Sequence, residues 1–293
     1  MKKRMLSVAL VLALLLTMLP TAALPAYAAN GTMQGSGTPA DPYIIMDADD
    51  LRAITSNMAA YYVLAADIAP ESWTSAISTG TFSGSLDGNG YTITLPAGAT
   101  NALFGGNMTG TISNLRVYAP ELTLNSSYAG VIVSTTQESK GIGGSVVNCA
   151  VIGNIKIKNT KPSLFAGGFA GLMTAEDAKI ENCYSAVTIE NVGTGGSSAF
   201  NVGAFTGLAY PDKGSLVNCR YDSTLTEKAV GSDQNETPLS ATGMATADLK
   251  AAASAINTTV PEGMPKWKNA EEGDAIGYPL FAEHTGLLEG TVN

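Results

Sequence analysis

Gly167-Gly-Phe-Ala-Gly-Leu172, followed by Lys179-Ile-Glu-Asn-Cys-Tyr-Ser-Ala-Val-Thr-Ile189, is the stretch that decides the fold. Small residues, a polar turn, then two runs of alternating Ile, Val and Thr around Asn182 read as short strands with one face turned inward. The stretch recurs. Ser145-Val-Val-Asn-Cys-Ala150 precedes it, Ser215-Leu-Val-Asn-Cys-Arg220 follows it, and Thr111-Ile-Ser-Asn-Leu-Arg116 is a looser copy with Leu115 at the cysteine position. The anchoring Asn114, Asn148, Asn182 and Asn218 are separated by 34, 34 and 36 residues. Ahead of the full copies lie Ala129-Gly-Val-Ile-Val133, Gly167 to Leu172 and Val202-Gly-Ala-Phe-Thr-Gly-Leu208. After them come Gly153 to Lys158, Ala186 to Glu190 and Ser223 to Thr226.

A period of this length admits helical repeats, but no unit holds a dozen residues with 3.6 periodicity, and each interior glycine costs a helix about 1 kcal/mol. The regular leucine ladder of leucine-rich repeats is missing as well. The expected fold is all-β: a right-handed parallel β-helix (β-solenoid) with three short strands per coil and short helical caps near each end. Stacked in register, equivalent residues lie about 4.8 Å apart. Cys149, Cys183 and Cys219 then form an internal ladder of small apolar groups, and the four asparagines a second ladder at a turn, their amides bonding one another or nearby backbone. Parallel side-chain vectors disfavour a disulfide, and a ladder does not converge on a metal.

Outward from the repeats, Gly37-Thr-Pro-Ala-Asp-Pro-Tyr-Ile-Ile45 leads into a strand. Asp47 caps a short helix with acidic residues in its first turn. Tyr61 to Ile68 reads as a strand, and Phe82 to Ile93 as a hairpin-like or coil-starting pair around Asp87-Gly-Asn-Gly90. Met244 to Ile256 reads as an Ala-rich helix capped by Thr246. Trp267 and Ile276 to Phe281 supply bulk to lay over the last coil. The expected organisation is therefore a signal peptide (1–28), an N-terminal capping region (29–78), coils (79–226, with three repeats over 126–226), a C-terminal capping region (237–282) and a flexible tail (283–293).

The signal peptide is read from Lys2, Lys3 and Arg4, the apolar run from Met5 to Leu19, and Ala26-Tyr-Ala28 as a cleavage triplet. Its removal leaves 13 basic residues against 25 acidic ones, a balance of −12. So acidic a chain argues against nucleic acid and anionic lipid as partners, and fits a secreted or cell-surface protein with no membrane contact after cleavage.

The segments Gly167 to Leu172 and Ile180 to Ile189 resemble the GLUG-type repeat of bacterial cell-surface, adhesin-like proteins. Gly37 to Ile45, Tyr62 to Ile68 and Phe82 to Ile93 are similar to the first coils of such proteins, and Thr246 to Lys250, Trp267 and Tyr278-Pro-Leu280 to their closing segment. The resemblance implies a spacer or interaction module without catalytic residues or cofactor, binding an extracellular glycan or protein.

The alternative is a carbohydrate-active enzyme, a polysaccharide lyase or glycoside hydrolase on a β-helix scaffold. It requires converging carboxylates. Glu181 and Glu190 fall in different strands of one coil. Glu176, Asp177 and Asp212 occupy equivalent loops and read as solvated surface or a weak cation patch, and Asp87 belongs to a turn rather than a full calcium loop. His284, the sole histidine, lies in the tail, away from any nucleophile. A ligand-contacting stripe would use exposed aromatics, for which Tyr118, Tyr128, Tyr184, Tyr210 and Tyr221 are the candidates, with core packing as the plainer role.

Overall fold

The computed structural model describes residues 33–194 and 199–284; the signal-peptide expectation and residues 285–293 of the tail lie outside them. The described chain is an all-β protein built from parallel sheets. In the first sheet, β1 (Tyr43–Ile45), β2 (Tyr61–Leu64), β3 (Ser85–Asp87), β5 (Thr111–Ser113), β8 (Ser145–Val147), β12 (Lys179–Glu181) and β16 (Ser215–Val217) lie side by side in that order. The second sheet runs β4 (Thr92–Thr94), β6 (Arg116–Leu124), β9 (Ala150–Ile157), β13 (Tyr184–Asn191), β17 (Arg220–Asp222) and β19 (Thr242–Met244). Parallel pairing already includes β1 and β2, within the expected N-terminal capping region, and reaches β19, beyond Thr226.

Every strand step in the first sheet pairs equivalent positions of successive repeats: Ile112 with Val146, Val146 with Ile180, and Ile180 with Leu216. Ile112, Val146 and Ile180 are fully buried, and the residues on either side of each face outward, which is the period-2 rule at work. Full burial of one such side chain contributes about 1.5–3 kcal/mol, so a shift of one residue would forfeit the whole row.

Asparagine makes the corner from the first sheet to the second. Asn114, Asn148, Asn182 and Asn218 adopt φ of 51°, 53°, 51° and 52°, a left-handed conformation that asparagine tolerates better than other side chains. The next residue drops inward: Cys149, Cys183 and Cys219 are buried free thiols, each donating to the carbonyl two residues back at 3.2, 3.1 and 3.4 Å.

A full repeat has four strands, not three. The glycine-rich run read as one strand is two, bent between them at Gly168-Phe169 or Ala204-Phe205. The first halves form a third sheet of β7 (Tyr128–Ala129), β10 (Ser163–Gly167) and β14 (Ala199–Gly203). The second halves form a fourth, of β11 (Ala170–Met173), β15 (Thr206–Ala209) and β18 (Val230–Asp233). Glycine explains the bend's closeness: a Cβ on Gly207 would lie 2.2 Å from the Ala166 nitrogen, so only glycine lets β15 approach β10. Phe169 and Phe205 fill the bend from inside, stacked with centroids 5.3 Å apart.

At the N-terminal end, α1 (Ala48–Ala53) is capped by Asp47, whose Oδ1 accepts from the amides of Asp49 and Asp50 at 2.9 Å, and it buries Leu51. Asp87 to Gly90 forms no hairpin, since β3 and β4 belong to different sheets.

The C-terminal segment holds α2 (Thr246–Lys250), α3 (Ala253–Asn257) and the antiparallel pair β20 (Trp267–Lys268) and β21 (Leu280–Phe281). Two expectations need correction. Ala245, not Thr246, is the N-cap of α2, because the Thr246 hydroxyl bonds to Asp222 at 3.1 Å. The bulky residues do not lie over the last repeat either. They run back along the outer face of the second sheet, where Leu249, Ile256, Trp267 and Phe281 cover Ala150, Ile152, Tyr184 and Ala186. Those strands are apolar on both faces, so the outer face needs its own cover.

Candidate functional site

The corner asparagines and the C-terminal segment meet. Asn148 donates to Asn114 Oδ1 at 2.9 Å and to the Pro265 carbonyl at 3.0 Å, and accepts from the Trp267 indole at 2.7 Å. Asn114 donates in turn to Asp87 Oδ1 at 3.0 Å. The bonded row stops there. Asn182 is 1% exposed, and neither of its side-chain amide atoms has a partner among the described residues, while Asn218 is exposed. Around this row the Tyr184 hydroxyl bonds to the Pro279 carbonyl, buried Arg116 donates to the Tyr278 carbonyl at 3.2 Å, and the Tyr278 hydroxyl donates to buried Asp222 at 2.7 Å. Burial pushes the Tyr184 hydroxyl well above its usual pKa. These contacts clasp the segment to the sheet.

Tyr184 and Tyr221 therefore do not form a surface stripe. Tyr184 is 0% exposed under Trp267, and Tyr221 is 9% exposed with its ring nearly perpendicular to that of Phe205. Parity is the reason: Tyr184 follows its cysteine by one residue and Tyr221 by two, so they face opposite sides of the second sheet. Tyr128 and Tyr210 are half-buried, and the fold brings them together. Tyr210 donates its hydroxyl to Glu138, and burial followed by that carboxylate pushes the Tyr210 pKa up; burial and then Glu138 also raise that of Tyr128. Phe165, absent from the candidates, stacks on Tyr128 with centroids 5.5 Å apart and rings 6° from parallel. Its signal was the repeat register, which pairs Tyr128 with Phe165.

The carboxylates are spread over several faces. Asp87 accepts from Asn114 and from the Asn89 amide at 2.8 Å, and burial raises its pKa despite both bonds. Glu181 pairs with Lys179 at 2.6 Å. Glu190 lies instead on a shelf of about 250 Å³ with Glu121, Asn154, Lys156 and Thr188, where Lys156 pairs with Glu121 at 3.0 Å. Glu176, Asp177 and Asp212 are exposed in their loops. Among the described residues no three of His, Cys, Asp and Glu approach closely enough to hold a metal ion. His284 stacks on Tyr91 at 3.8 Å, with its Nδ1 3.3 Å from the Asn89 carbonyl oxygen.

Known proteins add little to this geometry. No family model matches the chain, and no curated protein matches it. A crystal structure from Bacteroides ovatus, described as a "putative immunoglobulin A1 protease", is similar over 86% of this chain and 95% of that one, with 19% identity and a TM-score of 0.48. At that score the likeness carries no argument.

Two further depressions mark the surface. One, of about 240 Å³, lies beside β1 and β2 between Pro42, Ile44, Tyr61 and Asp87. The other, of about 420 Å³, sits at the edge of the third sheet between β14 and residues 225–228. Among the described residues no helix is long and apolar enough to cross a membrane.

Proposed function

We propose that this chain is a secreted or cell-surface right-handed β-helix of the GLUG-repeat type, acting as a non-catalytic adhesion or interaction module for an extracellular glycan or protein. The observation that carries the reading is the half-exposed patch of parallel Tyr128 and Phe165 rings beside the Tyr210–Glu138 bond. Apolar ring surface next to a hydroxyl and a carboxylate is the composition that grips sugar rings or peptide side chains. In-register stacking of equivalent residues supports the helical winding, and the acidic sequence supports a place outside the cell.

The competing reading is an enzyme acting on a polysaccharide. Its carboxylates would be Glu121 and Glu190, which share the shelf with Lys156. Both side chains are open to water, whereas a general acid needs surroundings that tune its pKa.

A glycan and matrix-protein array, read for retained binding and for released sugars in the same wells, tests the proposal. The module predicts saturable binding without products, lost in Tyr128→Ala and Phe165→Ala. Product release abolished by Glu121→Gln or Glu190→Gln would overturn it.

A further inference from the structure

The third sheet stops one strand short. In the two preceding repeats the chain leaves the second sheet, makes a third-sheet strand (β10, β14), bends at Phe169 or Phe205 and returns as β11 or β15. In the last repeat it passes from β17 to β18 through a tight turn, with Leu225 and Thr226 donating their amides to the Asp222 carbonyl at 3.2 and 3.1 Å. Thr226 is pinned there by its hydroxyl, which bonds to the Val187 carbonyl at 2.6 Å. β18 thus joins the fourth sheet, and among the described residues no strand follows β14 in the third; the chain passes only the end of β14, where the Ala204 amide donates to the Lys228 carbonyl at 2.8 Å.

Pairing parity shows which way the β14 edge points. Neighbouring residues of a parallel strand bond alternately to the strands on either side. The Ala199 amide donates to the Pro162 carbonyl at 3.1 Å, so positions 199, 201 and 203 bond to β10. The amides and carbonyls of Phe200 and Val202 then face the other way, with no backbone partner among the described residues. The depression of about 420 Å³ lies where the missing strand would run, with Ile189 and Leu225 among its walls. Leu225 is 37% exposed, an unusual place for a large apolar side chain in this chain.

We propose that this edge takes an extended peptide from a partner protein by parallel strand addition, the peptide standing where the next third-sheet strand would be. Its chemistry follows from the strands already present. Leu164 and Phe200 occupy one paired position, Ala166 and Val202 the next of the same parity, and Gly167 and Gly203 close the strand. The ligand is therefore apolar at alternate positions and stops before the place beside Gly203, which Glu227 holds, because Thr206 pairs with Val230 and the Ala204 amide donates to the Lys228 carbonyl at 2.8 Å. It is uncharged overall, because the adjacent Glu227 and Lys228 offer one charge of each sign. The site shares no residue with the Tyr128–Tyr210 patch, so either can fail without the other.

The probe is an N-terminally fluorescein-labelled, C-terminally amidated Ser-Leu-Phe-Ala peptide, copied from residues 163–166, titrated into the mature chain by anisotropy beside a scrambled control. Saturable binding of the ordered peptide alone is expected. Val202→Pro removes an edge-facing amide and leaves the bonds to β10 intact, since proline is accepted on sheet edges; it should weaken binding about tenfold or more. Leu225→Asn, at an exposed position, should weaken it as well and serves if the proline variant does not fold. Equal binding of the scrambled peptide, no binding of either peptide, or unchanged affinity in a folded variant overturns the proposal.

Discussion

Asn148→Gly and Asn182→Gly are the same chemical change at equivalent corners, and they should behave differently. Both positions need a positive φ, 53° and 51°, which glycine adopts freely. Both substitutions leave a similar small cavity and add similar freedom to the unfolded chain, about 0.5–1 kcal/mol, so these costs cancel between them. Asn148 alone loses bonds. Its amide serves Asn114, Pro265 and the Trp267 indole, each bond contributing about 0.5–1.5 kcal/mol net, with a further cost for the buried partners left behind. The Asn182 side chain has no bonds to lose among the described residues, and its removal relieves an unpartnered buried amide. Asn148→Gly should therefore be the less stable of the two by about 2–4 kcal/mol, and Asn182→Gly should lie within about 1 kcal/mol of the parent. Equilibrium urea unfolding followed by tryptophan fluorescence measures both midpoints, with the slope checked for constancy. Equal destabilisation by the two variants would refute the claim that the corner row is bonded only as far as Asn148.

Asp87 and the cysteines give two further tests. Burial raises the Asp87 pKa above its usual 3.8, so the folded chain holds this proton more tightly than the unfolded one, and the group's contribution to stability falls as pH rises through the window above 3.8. Asp87→Asn keeps an oxygen for Asn114 and Asn89; it should gain stability over the parent at neutral pH, the gain vanishing as unfolding is repeated at pH values below that window. Cys149, Cys183 and Cys219 are all buried, and burial beside its two neighbours keeps the Cys183 thiol protonated. Iodoacetamide should label none of them in the native chain and all three in urea, as read by intact mass; native labelling would contradict the packed ladder.

Much of the architecture was legible because repetition amplifies weak signals. A single Ile180 between Lys179 and Glu181 says little, yet Ile112, Val146, Ile180 and Leu216 at equivalent places determine a shared inward face and a register. The fourth strand was hidden because Gly167 to Leu172 alternates no differently through its bend than along a straight strand. What separates the halves is a backbone approach visible only in three dimensions. The clasp of the C-terminal segment had a signal that was not used: Ala150-Val-Ile152 and Ala186-Val187 are apolar at consecutive positions, the mark of a strand covered on both faces. For the site, offsets of one and two after the cysteines already separate Tyr184 from Tyr221 by parity. The meeting of Tyr210 with Glu138 had no such signal, because it joins residues 72 apart through a loop.

The claim beneath all of this is that successive repeats stack in register as parallel strands. Ser85, Thr111, Ser145, Lys179 and Ser215 occupy one paired row on the outer side of the first sheet. Ser85 and Ser215 are thus four strand steps apart, roughly 19 Å between backbones at the usual strand spacing. Nitroxide labels on Ser85→Cys and Ser215→Cys, with the buried native cysteines unlabelled, should give a single narrow distance near that value by double electron–electron resonance. A broad distribution, or a distance beyond about 38 Å, twice the value expected from the strand spacing, would contradict the stacked arrangement and everything built on it.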